Sequence, residues 1–430
     1  MQLTLLKNGL LFDPSQPHHS GATDLLIGDS LVREIAPANT LNPGPDTQII
    51  DLHGKLCIFP GLIDMHVHLR VPGAEYKEDL NTGLTAAAFG GFTAVLAMPN
   101  TDPPVDRAEV LETLLNRAKS IPGARLYQSA TMTQGRKGEI LTEYSELKAA
   151  GAVAVTDDGS WIPDGAVMRR VLDYAEFWNL VPLSHPEDLT LSRGGAINES
   201  HISTRLGLKG IPPQAEEIAI YRDIALAKLT GNPLHFCHIS TAEGLALIRR
   251  AKAQGIPVTC ETAPHYLFLT EKDVLGYETN AKMNPPLRSQ EDQNALRQGI
   301  LDGTIDCIAS DHAPHSVLEK ELEFAEASFG IIGLETSLPL ILRLMRELGL
   351  SLNRLAELMS LNPAKILGLP VGLKPGNPAD LTIVDQDLSW TYDSLKGISK
   401  SHNSPFSGWN FTGRAVLTLV DGKKMAGTLI

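Results

Sequence analysis

A chain of 430 residues exceeds what one ordinary hydrophobic core serves, so two structural units, or one large barrel with a small added domain, are the solutions its length allows. With 43% hydrophobic and 20% charged residues, its composition is that of a folded globular enzyme and not of a disordered chain. A formal net charge of -13 excludes a basic footprint for nucleic acid or anionic lipid, so an anionic ligand has to be held by local arginine, lysine or metal charge.

In chain order, residues 1–55 carry short alternating apolar runs at 3–6, 24–28 and 48–52, separated by Gly, Pro and Asn, which predicts short antiparallel strands joined by turns. The opening Met1-Gln-Leu-Thr-Leu-Leu-Lys-Asn8 has neither the charged start nor the long apolar core of a secretion signal. No apolar run is long enough to span a bilayer either, so a cytoplasmic protein without membrane contact is expected.

From residue 56 to 369 the pattern changes to strand then helix, repeated. Candidate strands fall at 63–69, 93–98, 126–131, 152–156, 181–184, 234–239, 258–262 and 307–310, with amphipathic helices at 106–119, 167–178, 214–229, 242–254 and 336–348. Such strands with helical crossovers predict a (β/α)₈ TIM barrel. A doubly wound open sheet would show a Gly-rich phosphate loop after its first strand, where this chain carries His-Val-His-Leu-Arg. Residues 370–430 return to short runs, at 379–385, 415–420 and 424–427, after the turn-rich Lys374-Pro-Gly-Asn-Pro378. Neither chain end has a comfortable core alone, so the two are expected to combine into one small β-sandwich domain.

The polar residues gather where the predicted strands end. His66 and His68 stand one residue apart, and because strand side chains alternate faces they project the same way and can grip one metal ion with neutral imidazoles. Arg70 follows on the same strand end, and the others carry Asn100, Asp157, Asp158, His185, His238, Asp311, His312 and His315, all of which a barrel brings to its C-terminal mouth. Any one histidine here could be ordinary packing, yet independent accidents would not all choose one rim. Imidazoles and carboxylates in this number suffice for two divalent ions. Without thiolate they favour zinc, with manganese, cobalt and iron chemically allowed. Cys57, Cys237, Cys260 and Cys307 lie far apart in apolar stretches with no Cys-x-x-Cys pair, and read as reduced core residues. Asp157 and Asp158 are neighbours on a strand and point to opposite faces, so only one can ligate directly.

Several longer phrases carry a family resemblance: Asp64-Met-His-Val-His-Leu-Arg70, Ala97-Met-Pro-Asn-Thr101, Cys237-His-Ile-Ser-Thr241, Glu261-Thr-Ala-Pro-His-Tyr266, Lys282-Met-Asn-Pro-Pro-Leu-Arg288 and Ile308-Ala-Ser-Asp-His-Ala-Pro-His315. Together the chain resembles the class I bacterial dihydroorotases of the amidohydrolase superfamily over nearly its whole length. The resemblance implies two zinc ions per subunit, with His66 and His68 on one, His185 and His238 on the other, and Asp311 at the first ion and acting as proton shuttle. It implies that Asp158 bridges the ions where many relatives use a carboxylated lysine, which leaves Asp157 to orient or cap the loop. It assigns His68, Arg70, Asn100, Asn284 and His315 to the substrate, with Phe329 and Gly330 completing the pocket. The implied reaction is reversible hydrolysis of L-dihydroorotate to N-carbamoyl-L-aspartate by a metal-bridged hydroxide, in de novo pyrimidine synthesis. A homodimer and association with an aspartate transcarbamoylase are the partner states it brings into view.

Residue chemistry agrees in part. Arg70 offers a planar fork suited to a carboxylate, and Asn100 and Asn284 offer amides of both polarities. Another cyclic amidohydrolase, a hydantoinase or allantoinase, would share the metals and differ in the pocket. A non-catalytic scaffold for a transcarbamoylase would lack metal residues, and none is missing. Residues 316–328, acidic and without a clear apolar face, read as a solvated helix or as a mobile cover beside the site.

Overall fold

In the computed structural model, which describes residues 3–16, 21–42 and 44–427, the strand-then-helix pattern closes into a barrel. Its strands are Leu62–Val67, Phe92–Ala97, Arg125–Ala130, Ala154–Val155, Val181–Ser184, Leu234–Phe236, Val258–Thr262 and Cys307–Ile308, each parallel to the next. The last returns to the first through a parallel bridge between Val67 and His312, where the His68 N–H donates to the His312 carbonyl at 2.8 Å. The first two strands are buried along their whole length, as parallel strands covered on both faces must be.

Two cores follow from the alternation. Ile63, Met65, Ala94, Leu96, Leu183, Cys237 and Cys307 fill the barrel interior, while Leu62, Val67, Phe92 and Val95 pack outward in the layer that includes the helices. A register shift between Asp64 and Val67 switches the faces, so that His66 and His68 follow Met65 onto the inner side at the mouth. The four cysteines are buried and free, as their apolar settings predict.

The helices Ala108–Ala118, Gly165–Phe177, Gln214–Thr230, Ala242–Ala253 and Ser337–Leu348 lie where the apolar period places them. Among described helices of ten residues or more, two were not anticipated: Leu80–Phe89, started by an Asp79–Thr82 capping box, and Gln290–Asp302, started by one of Ser289 and Asp292. No described helix is long and apolar enough to cross a membrane.

Both chain ends meet in one eight-stranded sheet. The strand Cys57–Pro60, counted with the barrel on sequence grounds, joins them: it pairs parallel with Leu3–Leu11 and antiparallel with Leu381–Thr391. Leu6, Leu25, Ile58, Leu381 and Leu417 share a core apart from the barrel's, so neither end is asked to fold around a core of its own.

Candidate active site

Three of the strands stop early because the following residues leave the ladder to carry polar side chains inward. His238 and Asp311 take left-handed φ of 36° and 49°, and Arg70, three residues past the first strand, takes 60°. Non-glycine residues held there cost on the order of 1–3 kcal/mol each, a strain that clusters at functional sites.

Asp158 stands at the centre. Its Oδ1 lies 3.3 Å from His66 Nε2, 3.5 Å from His185 Nδ1 and 3.8 Å from His238 Nε2, while its Oδ2 lies 3.7 Å from His68 Nε2. Asp311 Oδ1 lies 3.2 Å from His68 Nε2 and 3.7 Å from His66 Nε2. One carboxylate thus faces all four imidazoles, and the second closes the side of His66 and His68. Asp157 turns away, accepting from the Thr133 N–H at 3.1 Å and from the Thr133 hydroxyl.

The imidazoles are held by partners on their far sides. His66 Nδ1 lies 3.1 Å from Glu261 Oε1, His68 Nδ1 2.9 Å from Asn100 Oδ1, and His185 Nε2 2.9 Å from Glu187 Oε2. Each acceptor fixes the proton on the outer nitrogen and leaves the inner one with its lone pair toward the Asp158 side, the arrangement that metal-binding histidines take. Burial opposes ionisation of these acids, yet the carboxylates keep their charge. The His66 imidazole beside it holds Asp158 well below the usual range, and His68 does the same for Asp311. Hydrogen bonds from His235 and His66 hold Glu261 at about 2. Anionic carboxylates and inward lone pairs make a cavity that attracts a cation.

The residues fit divalent ions. His66 Nε2 and Asp158 Oδ1 are buried without a hydrogen-bond partner although they face each other, and His185 Nδ1 and His238 Nε2 stand 2.9 Å apart. His66, His68 and Asp311 form one group of ligand atoms close enough to share an ion, and His66, Asp158 and His238 another.

Above this cluster opens a cavity of about 460 Å³, of a size for a small metabolite, lined by His68, Arg70, Asn100, Asp158, His185, His238, Asn284, Asp311, His315, Phe329 and Gly330 among others. Every residue that the sequence put at the metals or the substrate, from His66 to Gly330, is therefore gathered at this mouth. Arg70 donates from Nε to the Pro314 carbonyl at 3.1 Å, and its Nη2 lies 3.2 Å from His315 Nε2. This leaves its Nη1 hydrogens for a ligand. Burial, then the charges of Arg70 and Lys77, hold His315 neutral, down at about 2, and its Nε2 lies 2.7 Å from the Phe329 carbonyl. Gly330 has φ 127°, and a Cβ there would stand 2.6 Å from the Cβ of Ala313, so the wall needs glycine at this point.

Some residues differ from the sequence expectation. His312 turns from the cavity to Glu78, at 3.3 Å, and accepts from the Gly333 N–H. Residues 316–328 are neither a long helix nor fully solvated: only Val317–Lys320 is helical, and Lys320, Phe324 and Ala327 are buried. The acidic count hid an ammonium tie, because Lys320 Nζ reaches the carbonyls of Ser328 at 2.8 Å and Gly330 at 3.1 Å, and Lys282 Nζ those of Phe324 and Ala325. Burial, then the neighbouring Lys282 charge, brings Lys320 down to about 7. Glu187, Glu261, Lys282 and Asn403 escaped the sequence reading. Glu187 repeats after His185 the one-residue spacing of His66 and His68, a signal that was there to use. Asn403 comes from beyond the barrel to hold the Ala313 and Gly330 carbonyls at 3.0 Å each, and no local pattern announces it.

Comparison with known proteins gives a consistent set. A family described as Dihydro-orotase-like matches residues 54–244. The chain is 50% identical over 421 residues to a dihydroorotase of Desulforapulum autotrophicum, covering 98% of each, and 51% identical over 420 residues to one of Geobacter sp. strain M21, covering 97% of this chain and 98% of that one. Among solved structures, an L-hydantoinase (dihydropyrimidinase) from Arthrobacter aurescens matches with a TM-score of 0.87 at 28% identity, over 100% of this chain and 98% of the other. A D-hydantoinase at 22% identity shares the fold, with a TM-score of 0.84 over 99% and 95%.

Proposed function

The chain belongs to the dihydroorotase family, and from that premise we propose that this mouth interconverts L-dihydroorotate and N-carbamoyl-L-aspartate, a cytoplasmic step of de novo pyrimidine synthesis, in the manner of the class I bacterial enzymes. The observation that carries the substrate is Arg70: a half-buried guanidinium with unused donors lines the same cavity as the imidazole and carboxylate cluster. A carboxylate on the ligand is the natural partner of that fork, and dihydroorotate has one whereas hydantoin does not.

Zinc suits the donor set: His66, His68 and Asp311 would hold one ion and His185 and His238 a second, with Asp158 in reach of all four imidazoles. When bound, such ions supply Lewis acidity and a nucleophile at neutral pH. The remaining work falls to the chain. Arg70 and His315 anchor the ligand carboxylate, so that the ring amide is presented to Asp311. Asp311, ionised, accepts a proton from the attacking water and delivers it to the ring nitrogen as the carbon–nitrogen bond breaks. In the direction of ring closure the same carboxylate takes the proton from the carbamoyl nitrogen and returns it to the departing water.

Purified protein supplied with zinc is expected to turn over dihydroorotate, with hydantoin and allantoin poor substrates. Turnover of hydantoin or allantoin with dihydroorotate inert would overturn the reading. The anchor has its own test. Arg70→Lys keeps a charge but loses the fork, and is expected to raise KM for dihydroorotate about tenfold or more with a smaller change in kcat. An unchanged KM removes Arg70 from substrate binding.

A further inference from the structure

We propose that Glu187 is a positioning residue that ties His185 to Asn284 and, by doing so, makes the Asn284 carboxamide an acceptor for an N–H of the substrate. The proposal rests on the cyclic-amide reading above. Glu187 Oε2 lies 2.9 Å from His185 Nε2 and 2.9 Å from Asn284 Nδ2. A carboxylate only accepts, so both neighbours must donate. That sets two things at once: His185 carries its proton on Nε2 and offers Nδ1 toward Asp158, and the Asn284 amide cannot rotate.

What remains of Asn284 is its carboxamide oxygen, buried and without a hydrogen-bond partner, in a residue that lines the same cavity as Arg70. An oxygen in that state favours a ligand that brings a donor and repels one that brings a carboxylate. Asn284 therefore does not share the anion-binding task that its amide alone would allow. The anionic end of the ligand goes to Arg70, an N–H of the ring amide or of the carbamoyl group goes to Asn284, and the substrate has one orientation. Glu187 makes this polarity depend on the same carboxylate that orients His185, so that metal binding and substrate reading share one support.

Four proteins test this: the unaltered chain, E187Q, N284D and the double variant. Zinc affinity is measured by competition with a chromogenic chelator, and KM and kcat on dihydroorotate with zinc saturating and its content verified. E187Q is expected to weaken zinc binding about tenfold and to raise KM about tenfold, with a smaller change in kcat. N284D sets two carboxylates face to face and is expected to raise KM further. In the double variant the new carboxamide donates to the new carboxylate, which keeps an acceptor oxygen for the cavity, and KM is expected to recover about tenfold from that of N284D. A double variant no better than N284D, or E187Q with unchanged zinc affinity and KM, overturns the proposal. Should dihydroorotate be inert with all four proteins, the substrate reading has failed, and the zinc titration decides on Glu187: tenfold weaker binding by E187Q supports its role and unchanged binding ends it.

Discussion

Asp311→Asn is expected to lower kcat on dihydroorotate by about 10³-fold while KM moves by less than about tenfold, in the range that loss of a general acid–base spans. The substitution is nearly isosteric, and asparagine tolerates the left-handed φ of 49° at this position, so the backbone is not asked to change. The distance of 3.2 Å to His68 Nε2 stays within reach of the asparagine oxygen, which can still lie beside an ion although it no longer carries charge. What disappears is a basic oxygen able to take a proton and give it back. The measurement is steady-state kinetics paired with zinc content of the same sample, because a variant that had lost an ion would lose activity for a different reason. Turnover near that of the unaltered chain, with zinc in place, would remove Asp311 as the proton carrier.

The mouth was legible because barrel geometry turns a one-dimensional fact, polar residues following each apolar run, into a ring of side chains. His66, His238 and Asp311 needed no knowledge of helices or loops, only that parallel strands end on one rim, whereas the choice of Asp158 over Asp157 came from the family resemblance. Helices were read less evenly. Leu80–Phe89 was missed because it is buried on most sides and so shows little amphipathic period, although Asp79 and Thr82 cap it openly. The partners that orient the imidazoles were read least. Glu261 sits inside a strand that looks like core, and its meaning depends on His66 lying 3.1 Å away across 195 residues of chain, a relation that no local pattern carries. Residues 316–328 show the converse error. Counting acids offered a solvated helix or a mobile cover, whereas little of the segment is helical and two lysines, Lys282 and Lys320, hold carbonyls along it.

Asp158→Asn and Asp157→Asn are expected to part company, the first losing metal and the second losing stability. At Asp158 the substitution replaces a charge that faces four imidazoles by a neutral group, one of whose two oxygens becomes an NH₂ with no lone pair to offer a cation. Zinc should bind at least about 10–100-fold more weakly, the loss seen even for weaker changes around metal sites, and turnover should fall to background. At Asp157 the carboxylate accepts twice from Thr133 and does not face the cavity, so the asparagine NH₂ there meets a donor instead. That mismatch is buried and should cost about 1–3 kcal/mol of stability, with zinc content unchanged. Zinc stoichiometry by elemental analysis and unfolding by denaturant, run on both variants, separate the two roles. Loss of zinc from the Asp157 variant and not from the Asp158 variant would reverse the assignment of the bridging carboxylate. The pair is informative because the two residues are chemically identical neighbours: whatever distinguishes them is their direction, Asp158 into the ring of imidazoles and Asp157 onto Thr133.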